Sequence, residues 1–189
     1  MFESSLTTSF EAEVVPLLDV AYNLARWLTR NDQDAQDVVQ EAYIRAFRSF
    51  AGFRGGNTRA WLLKIVRNTC FTWLQQNRRI QQSVEFDEEV FNSDSYSPNP
   101  EEILLQSASR LAVHQALESL PDNFREVLVL RELEELSYQE IADITGAPMG
   151  TIMSRLSRSR DALRQSLTAL AYEPGQLKTV HGIGHKLVR

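Results

Sequence analysis

The sequence predicts an all-α chain: two small helical domains joined by a flexible acidic linker, the second containing a helix-turn-helix. Three observations predict it. Apolar residues recur at helical spacing through most of the 189 residues, and no run alternates as a strand would. Between residues 81 and 102 that periodicity stops, in a stretch of acids, serines and asparagine that includes Pro98 and Pro100. The tract from Ser137 to Arg164, SYQEIADITGAPMGTIMSRLSRSRDALR, reads as a helix, a sharp turn and a second helix.

The first domain spans residues 1–80. Phe10, Val14, Leu17, Ala21, Leu24 and Leu28 form one helical stripe, and Pro16 is tolerable only near that helix's first turn. The polar break TRNDQD supplies Asp32 or Asp34 as the cap of a second helix. Its inward stripe is Ala35, Val38, Val39, Ala42, Ala46, Phe47 and Phe50. A glycine loop, AGFRGGN (51–57), leads to a third helix beginning near Thr58. Trp61, Leu62, Leu63, Ile65, Val66, Phe71, Trp73 and Leu74 make that helix apolar on most sides, so Trp61 and Trp73 read as core.

The second domain spans residues 103–172. Val113, Ala116, Leu117 and Leu120 line one face, Pro121 breaks the helix, and Asp122 or Asn123 caps the next. Phe124, Val127 and Leu128 face inward. Ser137 with Glu140 makes a capping box, each side chain satisfying an orphan backbone donor. Gly146 ends that helix and Pro148 restricts the next entry. At ~100° per residue, Ile152, Leu156, Leu163 and Leu167 share a narrow arc of the last helix. Thr151, Ser154, Arg155 and Arg158 share another on the far side. A helix whose dry face is held by its partner and whose Arg/Ser/Thr face points outward fits the DNA major groove. The tail 173–189 has three glycines and no periodicity, and disorder is expected there.

The net charge of −5 hides an uneven distribution. Residues 1–41 hold eight acids and two bases, and residues 85–109 hold seven acids and no base. Residues 42–84 hold eight bases (Arg45, Arg48, Arg54, Arg59, Lys64, Arg67, Arg78, Arg79) and no acid. Ordinary solvated faces mix signs, so this block reads as a polyanion contact.

Several function classes find no support. No catalytic constellation, P-loop or G-x-S-x-G is present. His181 and His185 form an H-x-x-x-H pair in a glycine-broken segment that offers no rigid helix for metal ligands, so neither metal nor cofactor is expected. No apolar run of membrane-spanning length and no signal peptide is seen, so membrane insertion is not expected. The single Cys70 reads as a small buried apolar residue in a chain suited to a reducing cytoplasm.

Two separate tracts resemble one family. DAQDVVQEAYIRAFRSF followed by TRAWLLKIVRNT is similar to the second conserved region of bacterial sigma factors. LPDNFREVLVLRELEELSYQEIADITGAPMGTIMSRLSRSR is similar to their fourth region. The lack of other sigma regions and the short acidic linker resemble the extracytoplasmic-function (group IV) class, over roughly residues 8–172. The resemblance implies a protein that binds core RNA polymerase and promoter DNA, and is held by an anti-sigma factor. In the family the D-x-x-Q-E helix docks on the clamp helices of the largest polymerase subunit; here that pattern is Asp37, Gln40 and Glu41, joined on the same face by Ile44 and Arg48. The resemblance also implies that the loop before the third helix captures a flipped minus-10 base. Phe53 offers a stacking face, Arg54 and Asn57 flank it, and the backbone at Gly52, Gly55 and Gly56 permits close approach. Lys64, Arg67, Asn68, Phe71, Gln75 and Arg78 share a helical side that can follow the strand.

On the recognition helix the implied minus-35 contacts are Thr151, Met153, Ser154, Arg155, Ser157, Arg158 and Arg160. Ser154 and Arg158 can reach base edges, while Arg155 and Arg160 flank them toward phosphates. The chain departs from the family pattern at Thr72, where an acid is common, and in the thinner basic cluster Gln75–Arg79. Met153 and Ser157 also replace a frequent basic and a larger residue. Met153 fits either a thymine-methyl contact or partial burial. The linker is expected to fill the polymerase's basic RNA path, leaving the two domains to tumble semi-independently without a partner. A sigma-like mimic would lose the arginines of the recognition helix, and a plain helix-turn-helix repressor leaves the D-x-x-Q-E helix unexplained.

Overall fold

The computed structural model describes residues 2–83 and 111–171, with side chains for 6–77 and 111–169. Most of the acidic linker, the resumed pattern at Ile103, the tail with His181 and His185, and the Arg78 side chain lie outside these residues. Among the described residues the structure is helical, without strands.

The first apolar stripe belongs to two helices, not one. α1 (Phe2–Glu13) and α2 (Leu18–Thr29) are separated by a 3-10 turn, Val15–Leu17, that holds Pro16. Proline has no N–H to continue an α-helical ladder, so the chain bends there while Phe10, Val14, Ala21, Leu24 and Leu28 all stay buried. α2 ends on Arg30 in the left-handed conformation, φ 63°. The cap of α3 (Asp32–Phe50) is neither Asp32 nor Asp34 but Asn31, whose side chain accepts from the Asp34 N–H at 3.0 Å. The two aspartates occupy the first turn, where the helix dipole favours negative charge.

α4 (Thr58–Ser83) starts where Asn57 Oδ1 accepts from the Ala60 N–H at 3.0 Å. The reversal between α3 and α4 requires Gly55 and Gly56 at φ 84° and 109°. On α4, Leu62, Leu63, Val66 and Cys70 are buried, whereas Trp61, Ile65, Phe71 and Trp73 are half-buried against the same core. Burial pushes the Cys70 thiol up to about 12, so it behaves as a small hydrophobe. Phe47 also departs from expectation: it is 50% exposed, with its ring edge-on to Phe10 at 5.2 Å. It lies ~100° around the helix from buried Ala46, at the margin of the inward stripe.

In the second half, residues 111–118 form α5, followed by α6 (Asp122–Leu128). Pro121 stands at the N-cap with no side-chain cap, in place of the expected Asp122 or Asn123. Asp122 turns instead to Arg125 and Arg30. α6 runs into a π-helical turn, Val129–Leu133, closed by the Glu134 N–H on the Val129 carbonyl at 3.1 Å. α7 (Tyr138–Thr145) and α8 (Met149–Ala171) form the helix-turn-helix.

The local signals of this motif act as their residue types require. Ser137 accepts from the Glu140 N–H and Glu140 accepts from the Ser137 N–H, at 3.2 and 2.8 Å; Gly146 closes α7 at φ 70°. The Ser137 bonds hold the Glu140 carboxyl below its ordinary 4.5. A depressed carboxylate pKa stabilises the fold above the unfolded value and loses that contribution as pH falls through the folded one. Ser137→Ala is therefore expected to lower stability by about 1 kcal/mol near neutral pH. The deficit should shrink below pH 4.5, as read by urea titration at a series of pH values.

The two halves do not stand apart as the linker suggests. Val127, Leu130, Leu136, Ile141, Ile152 and Leu156 join the buried residues of α2, α3 and α4 in one continuous core. A smaller cluster of Ala116, Leu117, Leu120, Leu128 and Leu163 packs under Trp27 of α2. The expectation of semi-independent domains is corrected by this packing. Its apolar faces were visible in the sequence, but which face met which was not.

Candidate nucleic-acid interface

The recognition helix α8 is held on one side by buried Ile152, Leu156 and Leu163. Met153, Ser154, Ser157 and Arg158 are exposed together on the outer side. Met153, at 51% exposure, takes the outward of its two expected positions. Thr151 and Arg155 are half-buried at the edge of that face. Arg160 points elsewhere: its Nε and Nη2 both donate to Glu132 Oε1, at 3.1 and 2.6 Å. Arg160 thereby ties the recognition helix to the π-helical turn.

On the first half, the loop 51–57 presents exposed Arg54, Gly55 and Asn57. Phe53 is half-buried, with its ring 4.8 Å from Trp61 and 6.1 Å from Phe50, so one of its faces is already packed. Along α4, Lys64 and Asn68 are exposed. Arg67 lies over the Phe71 ring at 4.3 Å, its Nη1 donates to Asn68 Oδ1 at 3.2 Å, and its Nε donates to Glu126 Oε1 at 2.6 Å. Burial pushes the Glu126 carboxyl up, against the pull of its bond to Arg67.

A third surface lies on α3. Asp37, Gln40, Ile44 and Arg48 are exposed, while Glu41 is half-buried and accepts from Arg45 Nε at 2.7 Å. Gln40, Ile44 and Arg48 line an open groove of about 790 Å³ together with Leu18, Tyr43 and Phe47. Phe47 and Leu18 were missed as surface residues. The available signal was spacing, because Gln40, Ile44 and Phe47 stand at i, i+4 and i+7.

Sequence reasoning also missed Arg59, Arg125, Glu126 and Glu134. Arg59 Nη2 donates to Glu134 Oε2 at 2.5 Å, and Asn57 Nδ2 donates to Glu140 Oε1 at 2.5 Å. Arg125 and Glu126 sit among the apolar residues Phe124, Val127 and Leu128, a local hint that this charged pair enters the interior. Among the described residues no buried side-chain nitrogen or oxygen lacks a hydrogen-bond partner. Among the described residues no group of three or more His, Cys, Asp and Glu is placed to hold a metal, and no helix is long and apolar enough to cross a membrane.

Comparison with known proteins places both halves in one superfamily. Residues 14–80 match the sigma-70 region 2 family and residues 110–163 the sigma-70 region 4 family. The chain is 39% identical over 144 residues to the ECF RNA polymerase sigma-E factor of Escherichia coli K12, covering 72% of this chain and 75% of the relative. The chain belongs to the extracytoplasmic-function sigma factors. It is also 38% identical over 148 residues to the RNA polymerase sigma-H factor of Pseudomonas aeruginosa, covering 75% and 77%. A third relative, ECF RNA polymerase sigma factor SigE of Mycolicibacterium smegmatis, is 36% identical over 158 residues, 84% of this chain but 61% of that longer protein. Among solved structures, this sigma factor resembles RpoE of Bartonella quintana, solved in complex with the anti-sigma factor NepR. The TM-score is 0.68 at 27% identity, covering 85% of this chain and 97% of that one. The fold is shared with CnrH, solved with the cytosolic domain of CnrY, at a TM-score of 0.61 and 22% identity over 86% and 90% of the two chains.

Proposed function

We propose that this sigma factor binds core RNA polymerase and directs it to promoters, reading the minus-35 element with α8 and the minus-10 element with the loop 51–57 and α4. The observation that carries the reading is the order of its parts. A region 2 match bearing an acid-free block precedes a region 4 match whose helix-turn-helix presents Met153, Ser154, Ser157 and Arg158 outward. Such a protein acts by recruiting an enzyme, and its own residues supply recognition alone. Phosphates draw Lys64 and the arginines without regard to sequence, while base edges are read from the exposed side of α8. The likeness to a sigma factor solved with its anti-sigma factor supports a regulatory partner of that kind. The function belongs in the cytoplasm, beside the polymerase. Adding the purified chain to core polymerase and transcribing a library of genomic fragments tests the reading. A defined set of start sites is expected, and failure to bind core polymerase overturns it.

The α3 groove is the proposed polymerase contact, supported by its three exposed apolar residues, Leu18, Ile44 and Phe47, beside Gln40 and Arg48. The double change Gln40→Ala, Glu41→Ala is expected to weaken core binding and to lower stability by less than about 0.5 kcal/mol, because both side chains reach solvent. Core affinity is read by fluorescence anisotropy and stability by thermal melting. A large loss of melting temperature with unchanged affinity assigns this face a structural role instead.

A further inference from the structure

Arg160 leaves the recognition helix on the flank that also carries Met153 and Ser157. At ~100° per residue it falls ~20° from Met153 and ~60° from Ser157. Those two side chains are exposed, but the Arg160 guanidinium turns back onto the protein. Its Nε and Nη2 donate to Glu132 Oε1 at 3.1 and 2.6 Å, and the Glu132 side chain is only 11% exposed. The bond to Glu132, and after it Tyr138, hold Arg160 above its ordinary pKa range.

Glu132 reaches this position through the way α6 ends. The π-helical turn Val129–Leu133 widens the ladder by one residue, which turns Glu132 from the direction a continuous α-helix would give it. The chain then leaves through Glu135 at φ 53°, a left-handed conformation that favours glycine. Arg131 secures the other side of the turn. Its Nη1 donates to the Leu136 carbonyl at 2.8 Å, and its guanidinium lies over the Tyr138 ring at 5.1 Å. Two uncommon backbone features thus hold one carboxylate against the recognition helix.

The dry face of α8, at Ile152, Leu156 and Leu163, is held by apolar contact, which has no direction and tolerates a small roll about the helix axis. A charge-assisted bond from two nitrogens on one flank does not. A DNA phosphate is an equivalent acceptor for the same guanidinium, so carboxylate and phosphate compete for it.

We propose that Glu132 is a specificity-determining residue of the minus-35 readout, a positioning residue that acts through Arg160. It fixes the roll of α8, and so the bases met by Met153 and Ser157, and it withholds Arg160 from the phosphates. Sequence-independent binding rises with each cation that a phosphate meets, so withholding one favours base readout. This role of Glu132 rests on the minus-35 reading of α8, and it reverses the expectation that Arg160 meets a phosphate.

The test uses the full chain with Glu132→Gln, which keeps the shape and removes the charge that holds Arg160. Site selection from randomised duplexes should show altered preference at one or two positions, those facing Met153 and Ser157. Binding of a duplex of unrelated sequence, followed over a salt series, should tighten about three- to eight-fold at ~0.1 M salt. Its salt dependence should steepen by about one unit of slope. Glu135→Gln makes the same change in net charge at an exposed position and should leave site and slope unaltered. Arg160→Gln should alter the preference at wild-type slope, because no cation is released. E132Q/R160Q should keep the altered site and return the slope to wild type. A residue serving the fold alone would weaken all sequences together without steepening the slope. An unsteepened slope in E132Q, an equal change in E135Q, or a slope flattened by R160Q overturns the proposal. If E132Q does not fold, R160Q decides by its site and slope. A wild-type site kept by both E132Q and R160Q defeats this role of Glu132 alone, whereas a wild-type chain that selects no site defeats the minus-35 reading as well.

Discussion

Replacing Arg125 with methionine is expected to destabilise the chain by about 3–5 kcal/mol, a large part of the stability of an ordinary domain. Arg125 is 0% exposed, and all three of its guanidinium nitrogens donate hydrogen bonds. Nε donates to the Leu117 carbonyl at 3.2 Å, Nη1 to the Trp27 carbonyl at 3.1 Å, and Nη2 to the Leu120 carbonyl and Asp122 Oδ1 at 2.8 and 2.9 Å. Leu117 and Trp27 lie in the last turns of α5 and α2, where carbonyls lack intrahelical partners and the helix dipoles are negative. One cation thus closes two helix ends, one from each half of the molecule. Burial lowers its pKa to about 10, with Arg30 adding to the effect, which leaves it charged at neutral pH. Methionine fills much of the volume but takes the guanidinium from the Trp27 carbonyl and leaves the Leu117 and Leu120 carbonyls only the Leu120 N–H at 3.2 Å and Arg30 Nη2 at 3.4 Å. Lysine keeps the charge but lacks the planar fork, and Arg125→Lys should recover only part of the loss. Urea unfolding of the three proteins measures this. A deficit below about 1 kcal/mol for Arg125→Met would mean that water reaches the carbonyls and that the guanidinium is dispensable.

Arg158→Ala is expected to weaken binding of the preferred minus-35 site by about 1–3 kcal/mol and to relax preference at one or two positions, through loss of a bidentate guanine contact. Arg158 is exposed, one turn beyond exposed Ser154, and makes no ion pair among the described residues. Arg155→Ala should instead weaken all sequences about equally and flatten the salt dependence by about one unit of slope, as loss of a phosphate contact does. Arg160→Ala should act through the fold, because its guanidinium is held by Glu132. Binding-site selection with the Arg158 and Arg155 variants at two salt concentrations distinguishes the roles. An unaltered site for Arg158→Ala together with a changed one for Arg155→Ala would reverse them and shift the phase of the helix.

The short-range features were legible because their causes lie within one or two turns of chain. Ser137 and Glu140 need only each other and the intervening backbone, and Gly146 needs only its own freedom at φ 70°. Ile152, Leu156 and Leu163 share a face whatever packs against it, so the inner and outer sides of the recognition helix followed from spacing alone. The D-x-x-Q-E face of α3 was readable in the same way, and so was the acid-free character of residues 42–84.

Caps and margins were less secure. Asn31, Asp32 and Asp34 all have capping chemistry, and the backbone angles at the end of α2 decided among them. Phe47 lies between two faces of α3, and only the position of Phe10 on α1 determined that it edges the groove.

By itself the sequence determined the helical character of the chain, the inward and outward sides of the recognition helix, the signed blocks of charge and the order of the two regions. The tertiary structure alone decided where those charges went. Arg67 and Glu126 are 59 residues apart, Arg59 and Glu134 are 75, and Arg125 and the Trp27 carbonyl are 98. Nothing in a local period encodes such a pairing, because an arginine on a helix face reads the same whether it meets solvent, a phosphate or a distant glutamate. The choice is made when apolar faces from both halves merge, and burial then requires every enclosed charge to find a partner.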